Sequence, residues 1–129
     1  MHKLYLVVFN YKGSKYFKAG VTSKSDVMER FKYDIIKHGL TEFKIRKSSW
    51  FKTEEEAKNA EDRLFTTIKD KFPDNNYVNK DGKHFFHNEW FEEKVNGITE
   101  MRKYNHKEIQ VAYNFISENG ARYYKDLVA

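Results

Sequence analysis

The sequence predicts one small α/β domain with a helical tail, in the order β-β-α-β-α followed by two helices. Residues 3–9 and 16–22 have strand composition and are separated by a Gly-centred turn, which is the pattern of a β-hairpin. Residues 25–39 have the apolar spacing of a helix, and residues 41–51 alternate as a third strand. A capped helix follows that strand, and no internal repeat or linker divides the chain.

Length and composition favour a single domain in a reducing compartment. The chain has 129 residues, of which 17% are aromatic, so it can bury a core without crosslinks. It contains no cysteine, which excludes disulfides and thiolate chemistry and agrees with a cytoplasmic protein. The apolar run at residues 4–9 is too short for a secretion signal or a membrane span, so we expect no membrane partner.

The charge balance favours a polyanionic partner. Lysine and arginine outnumber aspartate and glutamate by 24 to 19, which gives a net charge of +5 and a pI near 9.2. A moderate positive charge attracts polyanions, and we expect DNA to be the partner. A solvated surface of mixed charge is the alternative explanation of the same composition.

The alternation of side chains along the two hairpin strands predicts which face of the sheet each residue occupies. Residues 3–9 are apolar on both parities, which predicts a central strand covered on both faces. The second strand predicts two different faces. Phe17, Ala19 and Val21 point one way, and Tyr16, Lys18, Gly20 and Thr22 point the other.

Capping residues set the predicted helix ends. Ser25 or Asp26 can cap the first helix, and Gly39 lies just past its end. Thr53 and Glu56 form a capping box for the second helix. The inner face of the first helix is marked by Val27, Phe31 and Ile35.

The last part of the chain predicts two more helices. Asn88 can cap a helix at residues 89–104. Asn105 and Glu108 form a second capping box, which starts a helix that we expect to continue up to Gly120.

One carboxylate lies on the face of the second helix that is predicted to be buried. The apolar stripe of that helix consists of Ala57, Ala60, Leu64, Phe65, Ile68 and Phe72. Glu61 falls in the same stripe. A buried carboxylate is costly unless it is paired or binds a metal ion. Alternatively, the stripe is narrower and Glu61 lies at its solvated edge in a salt bridge.

Five residues are candidates for contacting a substrate. Lys44 and Arg46 give the third strand a basic face, and Lys47 and Trp50 follow them. If DNA lies across the sheet, these cations would track the phosphate backbone and the indole would stack on bases. A solvated strand face is the alternative. Tyr16 is the fifth candidate, on the same hairpin face as Lys18.

Several short motifs occur in the order known from one nuclease family. The hairpin contains "KLYL" around Tyr5 and "KAGVT" around Lys18, the first helix contains Arg30 in "VMERF", and "NEWF" occupies residues 88–91. Together with Glu61 in the second helix, this order resembles the GIY-YIG nuclease superfamily. The similarity is greatest to a phage-encoded branch with a "KIGxT"-like second motif and an "EWF"-like element. The resemblance covers residues 4–91.

The resemblance implies a fold and an activity. It implies an α+β domain with a three-stranded antiparallel sheet flanked by helices, at residues 1–91, and a helical extension packed on it at residues 92–129. It also implies a Mg²⁺- or Mn²⁺-dependent DNA endonuclease or nickase, encoded by a phage or a mobile element. A non-catalytic module that binds nucleic acid or a host protein is the alternative, and a homodimer remains open.

The resemblance also implies roles for four residues. Glu61 would hold the metal ion, and Arg30 would contact the phosphoryl oxygens. Tyr5 would accept or relay the proton of the nucleophile, which requires a cation to lower the pKa of its phenol. Lys18 stands where the family usually has its second tyrosine, and Lys3 stands where glycine is usual. We expect Lys18 either to lower the pKa of Tyr5 or to contact the phosphate; a surface lysine is the alternative.

Overall fold

The computed structural model describes residues 2–72 and 102–128, with side chains as far as residue 119. The described elements form one antiparallel sheet, in the strand order β3-β1-β2-β4, and three helices. The elements are β1 (His2–Tyr11), β2 (Ser14–Thr22), α1 (Val27–His38), β3 (Thr41–Phe51), α2 (Glu54–Lys71), β4 (Arg102–Lys103) and α3 (His106–Val128). The predicted α+β class and the antiparallel sheet are therefore confirmed.

The sheet has four strands where three were predicted. Arg102 and Lys103 form β4, which pairs with β2 opposite Phe17 and Tyr16. We predicted that these two residues would end a helix at residues 89–104. A two-residue strand has no alternation of its own, so only its pairing partner defines it. The remainder of that predicted helix and the "NEWF" element lie outside the described residues.

The central strand β1 is buried on both faces, as its composition predicts. Tyr5, Val7 and Phe9 pack with α1 in one cluster, whereas Leu4 and Leu6 belong to a second cluster with α2 and α3. The predicted parity of β2 is also confirmed, because its residues divide between the same two clusters. The sheet therefore separates two cores, which we call the α1 side and the α2–α3 side.

The helix starts follow the capping residues. Asp26 accepts a hydrogen bond from the Met28 amide at 2.9 Å, and Thr53 accepts one from the Glu56 amide at 3.1 Å. The last helix differs from the prediction, since α3 continues past Gly120 to Val128. In the described parts of the chain, every helix is too short or too polar to cross a bilayer.

The apolar stripe of α2 is confirmed in its main positions. Ala57, Ala60, Leu64 and Ile68 are buried on the α2–α3 side. Small residues in the first turns bring the helix backbone close to the sheet, and the larger residues fill the space further along.

A buried ion pair joins β4 to the first turn of α3. Arg102 Nε lies 2.7 Å from Glu108 Oε1, and both side chains are almost fully buried. Burial raises the pKa of the Glu108 carboxyl, and the Arg102 guanidinium opposes that rise. Each charge depends on the other, because neither is hydrated at this depth.

Removing one member of this pair should therefore destabilise the fold strongly. We expect Glu108→Ala to lower the free energy of unfolding by about 3 kcal/mol, because it leaves the Arg102 guanidinium buried without this carboxylate. The double variant Arg102→Met/Glu108→Leu should be more stable than Glu108→Ala, since it removes both charges. Urea unfolding of the three proteins measures this. A double variant less stable than the single one would contradict the interpretation.

Candidate active site

The phenol of Tyr5 lies directly against Gly20 of the neighbouring strand. The two residues are paired in the β1–β2 register. A Cβ atom at Gly20 would overlap with the Tyr5 hydroxyl and would lie 2.8 Å from its Cζ atom. Only glycine therefore leaves room for this ring position. The sequence shows a glycine in the second strand of the hairpin and a tyrosine in the first. That the tyrosine ring requires this glycine is visible only when the two strands are paired.

Lys18 is buried beside the same phenol. Only 6% of its surface is exposed, and its ammonium donates a weak hydrogen bond to the Ala19 carbonyl at 3.4 Å. Its Nζ atom lies 5.8 Å from the centre of the Tyr5 ring and would be 3.1 Å from a Cβ at Gly20. The alternative of a surface lysine is therefore wrong, and the ammonium is part of the phenol's surroundings.

Arg30 projects from α1 to the same side of the sheet. Its Nη1 atom donates to Asp34 Oδ2 at 3.2 Å, one helical turn further on. Asp34 is almost fully buried, so burial raises the pKa of its carboxyl, and Arg30 opposes that rise. Burial also lowers the pKa of His38, which Asp34 partly offsets. Arg30 and Asp34 thus form an ion pair one helical turn apart, in which the buried Asp34 carboxylate orients the partly exposed Arg30 guanidinium.

Glu61 is half-buried at the edge of the α2 stripe. A pocket for Glu61 on the β2 face with Tyr16, Lys18 and Gly20 would require α2 to cover that face. Instead, α2 packs against the opposite face, with Phe17 and Ala19. The charge of Glu61 still acts on the phenol, as its effect on the Tyr5 pKa shows.

The surroundings raise the pKa of Tyr5 well above its ordinary value. Burial is the largest cause, since the side chain is 1% exposed; Arg30 lowers the pKa, while Glu61 and Asp34 raise it. Tyr5 is therefore a neutral phenol at neutral pH, and it becomes a proton acceptor only if further positive charge reaches the site.

The five candidate substrate contacts do not share one surface. A bulge in β3, between the pairs Leu6–Lys47 and Val7–Ile45, reverses the side-chain parity along the strand. Lys47 consequently lies on the α2–α3 side, where its ammonium is 5.4 Å from the centre of the Tyr113 ring.

Trp50 and Tyr16 lie on the α1 side. Trp50 is covered by the Lys3 ammonium at 4.4 Å from the ring centre. Tyr16 is 8% exposed and packs in the aromatic core with Phe9 and Tyr11. The three basic residues of β3 therefore share one side of the sheet, but Trp50 and Tyr16 do not lie with them. Lys44 and Arg46 line a separate cleft on the α2–α3 side.

We call Tyr5 and its neighbours Lys18, Gly20, Arg30 and Asp34 the phenol cluster. Together with Glu61, it suits one hard cation with few protein ligands. In residues 2–72 and 102–119, no three His, Cys, Asp or Glu side chains come together as a metal site. Glu61 offers a partly accessible carboxylate, whereas the Asp34 carboxylate is engaged by Arg30. A Mg²⁺ ion keeps most of its waters and needs only one or two carboxylates. The residues present are compatible with Mg²⁺ or Mn²⁺ at Glu61.

Comparison with known proteins adds no relative to this description. No protein-family model matches the chain, and neither a curated protein nor a solved structure is significantly similar to it.

The close approach of Gly20 and Tyr5 predicts that substitutions at these two positions have coupled effects on the free energy of unfolding. Gly20→Ala should destabilise the protein, because the new Cβ overlaps with the Tyr5 phenol. The same substitution should cost at least about 1 kcal/mol less in a Tyr5→Leu background, where the ring is absent. Urea unfolding of the four proteins of this cycle measures the coupling. Equal costs in the two backgrounds would contradict the proximity of the two residues.

The raised pKa of Tyr5 predicts a loss of stability at alkaline pH. Between the ordinary tyrosine value of 10.0 and the higher folded value, the folded state holds a proton that the unfolded state has released. The free energy of unfolding should therefore fall as pH rises above about 10, by up to about 1.4 kcal/mol per pH unit for this group. Denaturant titrations of the parent and of Tyr5→Phe should show the steeper fall in the parent. The control Tyr33→Phe, at a phenol 67% exposed, should behave as the parent does.

Proposed function

We propose that this protein is a metal-dependent endonuclease or nickase of the GIY-YIG type that acts on DNA. The observation that carries the proposal is the convergence of four motif-matched residues from four elements. The Lys18 ammonium of β2 lies beside the Tyr5 ring of β1, and the charges of Arg30 on α1 and Glu61 on α2 both act on the phenol. A structural core needs an aromatic ring at this position, but it does not need three ionisable groups around it.

Arg30 is suited to bind the phosphoryl group. The hydrogen bond to Asp34 fixes one edge of the guanidinium, and the side chain remains 23% exposed. A planar guanidinium offers several further donors to phosphate oxygens. Arg30 would therefore neutralise charge that develops on the phosphoryl oxygens, while Asp34 keeps its orientation.

Tyr5 and Lys18 are suited to proton transfer and charge stabilisation. A metal ion bound at Glu61 would supply positive charge and an acidic bound water. With that charge in place, the Tyr5 phenol would lose part of the repulsion that raises its pKa, and it could exchange a proton with the nucleophile. The Lys18 ammonium would stabilise negative charge on the phenol oxygen. It would thereby replace part of the role that a second tyrosine has in the family.

A second function is favoured by one observation. The phenol of Tyr5 is 1% exposed and Lys18 is 6% exposed, so neither is open to a substrate in the described structure. A non-catalytic module that binds nucleic acid or a host protein would tolerate this burial. Supercoiled plasmid incubated with Mg²⁺ or with EDTA distinguishes the two functions. Nicking that requires the metal supports the enzyme, and binding without nicking supports the module.

Neutralising Glu61 should separate activity from stability. We expect Glu61→Gln to abolish metal-dependent nicking, because the amide loses the charge that holds a divalent cation. The free energy of unfolding should stay the same or rise by up to about 1 kcal/mol. Asp62→Asn, an exposed carboxylate on the next position of α2, is the matched control and should nick at the parental rate.

Plasmid nicking and thermal unfolding are measured on the same preparations. A folded Glu61→Gln protein with full activity would remove the assignment of Glu61 as metal ligand. A lower melting temperature with a proportional loss of activity would instead indicate a structural salt bridge.

Lys18 gives an independent test of the site. Lys18→Ala should reduce nicking by about 100-fold, as expected for loss of a group that stabilises transition-state charge. Lys18→Tyr should retain part of the activity, because it restores the family's usual residue. Lys37→Ala, at an exposed lysine of α1, is the control and should leave nicking unchanged. Nicking by Lys18→Ala at the parental rate would exclude Lys18 from the site.

A further inference from the structure

A small polar cleft lies on the opposite side of the sheet from the phenol cluster. It has a volume of about 90 Å³ and is formed where β1, β2, β3 and the residue after β4 meet, near the hairpin turn. Its polar and aromatic walls, which we call the rear cleft, are Asn10, Lys15, Glu42, Lys44, Arg46 and Tyr104. None of these residues belongs to the phenol cluster.

One end of the rear cleft is cationic. Lys44 and Arg46 are exposed residues of β3, the edge strand of the described sheet, and both line the cleft; the bulge after Ile45 brings Lys47 to the same side. Lys47, the next residue, continues this basic surface towards Tyr113 of α3, which is 37% exposed. Three cationic residues within four positions, beside an exposed aromatic ring, provide the positive charge and the stacking surface that single-stranded nucleic acids bind.

The other end of the rear cleft carries hydrogen-bond acceptors. Asn10 donates through Nδ2 to Glu42 Oε2 at 3.0 Å, which fixes the orientation of the amide. Its Oδ1 atom is buried and accepts no hydrogen bond within the described part of the chain. Glu42 has a positive φ of 50°, a conformation that is rare for this residue type. An oriented acceptor of this kind can take a hydrogen bond from an N–H or O–H group of a ligand, or from water.

An aromatic ring stands beside these acceptors. Tyr104 is 37% exposed, and its backbone amide donates to the Lys15 carbonyl at 2.9 Å. The Lys15 ammonium lies 5.3 Å from the centre of the same ring. The backbone bond fixes the ring at the cleft, and an exposed face of an aromatic side chain can stack on a nucleobase.

We propose that the rear cleft binds single-stranded nucleic acid. A base stacks on Tyr104 and donates its exocyclic amino group to Asn10 Oδ1, while Lys44, Arg46 and Lys47 contact the phosphates that follow. In duplex DNA the base edges and faces are already paired and stacked, so a duplex satisfies only the cationic end. The proposal does not depend on catalysis at the phenol cluster, and it is tested without cleavage.

The first experiment measures the binding of phosphates. Fluorescence anisotropy with a labelled oligo(dC) strand, in EDTA, compares the parent with Lys44→Ala/Arg46→Ala. We expect the double variant to bind about tenfold more weakly at low salt, and its salt dependence to be shallower by about 0.7 in log–log slope for each phosphate that is no longer neutralised. The control Lys32→Ala/Lys37→Ala removes the same charge from exposed positions of α1 and should retain near-parental binding. Equal effects of the two double variants would overturn the proposal.

The second experiment measures the recognition of bases. The parent should prefer oligo(dC) over oligo(dT), since cytosine has an amino group where thymine has a carbonyl oxygen. Asn10→Leu should remove that preference. Tyr104→Ala should weaken binding about fivefold or more, and Tyr104→Phe should not. An unlabelled duplex that competes as well as the single strand, or a parent that binds oligo(dC) and oligo(dT) alike, would overturn the assignment.

Discussion

Burial of β1 on both faces is the constraint on which the rest of the structure depends. A central strand covered on two sides needs an apolar side chain at almost every position, and the segment from Leu4 to Phe9 provides it. Each face then needs a helix to cover it, so α1 takes one side and α2 with α3 take the other. Tyr5 is the exception within this apolar segment. Its ring packs in the core, but its hydroxyl is a polar atom that needs space and suitable surroundings there.

The accommodation of that hydroxyl organises the phenol cluster. Gly20 gives it space, and Lys18 and Arg30 bring positive charge to the same region. Two acids act against them, and the balance leaves a neutral, strongly buried phenol. Because little water screens charges at this depth, a small change in local charge has a large effect on the pKa of the phenol.

The bulge in β3 separates Trp50 from the basic residues of the strand. Without it, Lys44 and Trp50 would lie on the same face, since both occupy even positions in an alternating strand. With it, Trp50 accompanies Lys3 on the α1 side, and Lys44 joins the rear cleft. The protein consequently presents ionisable groups on both sides of one sheet. They differ in character, since the phenol cluster is buried and the cationic end of the rear cleft is exposed.

Local patterns in the sequence determined most of the framework. Apolar periodicity and capping residues such as Asp26 and Thr53 predicted α1, β3 and the start of α2, because caps and period depend only on nearby residues. Parity along β2 also predicted that Lys18 and Gly20 share a face. These features follow from covalent spacing and need no partner.

Only the tertiary structure decided the features that depend on pairing and burial. The strand β4 is defined by its pairing with β2. The helix α2 covers the face of the sheet where its apolar stripe packs on Phe17 and Ala19. The bulge in β3 is defined by the register between β1 and β3. The raised pKa of Tyr5 likewise has no local signal. Desolvation is a property of everything packed around a group, and residues distant in sequence supply it.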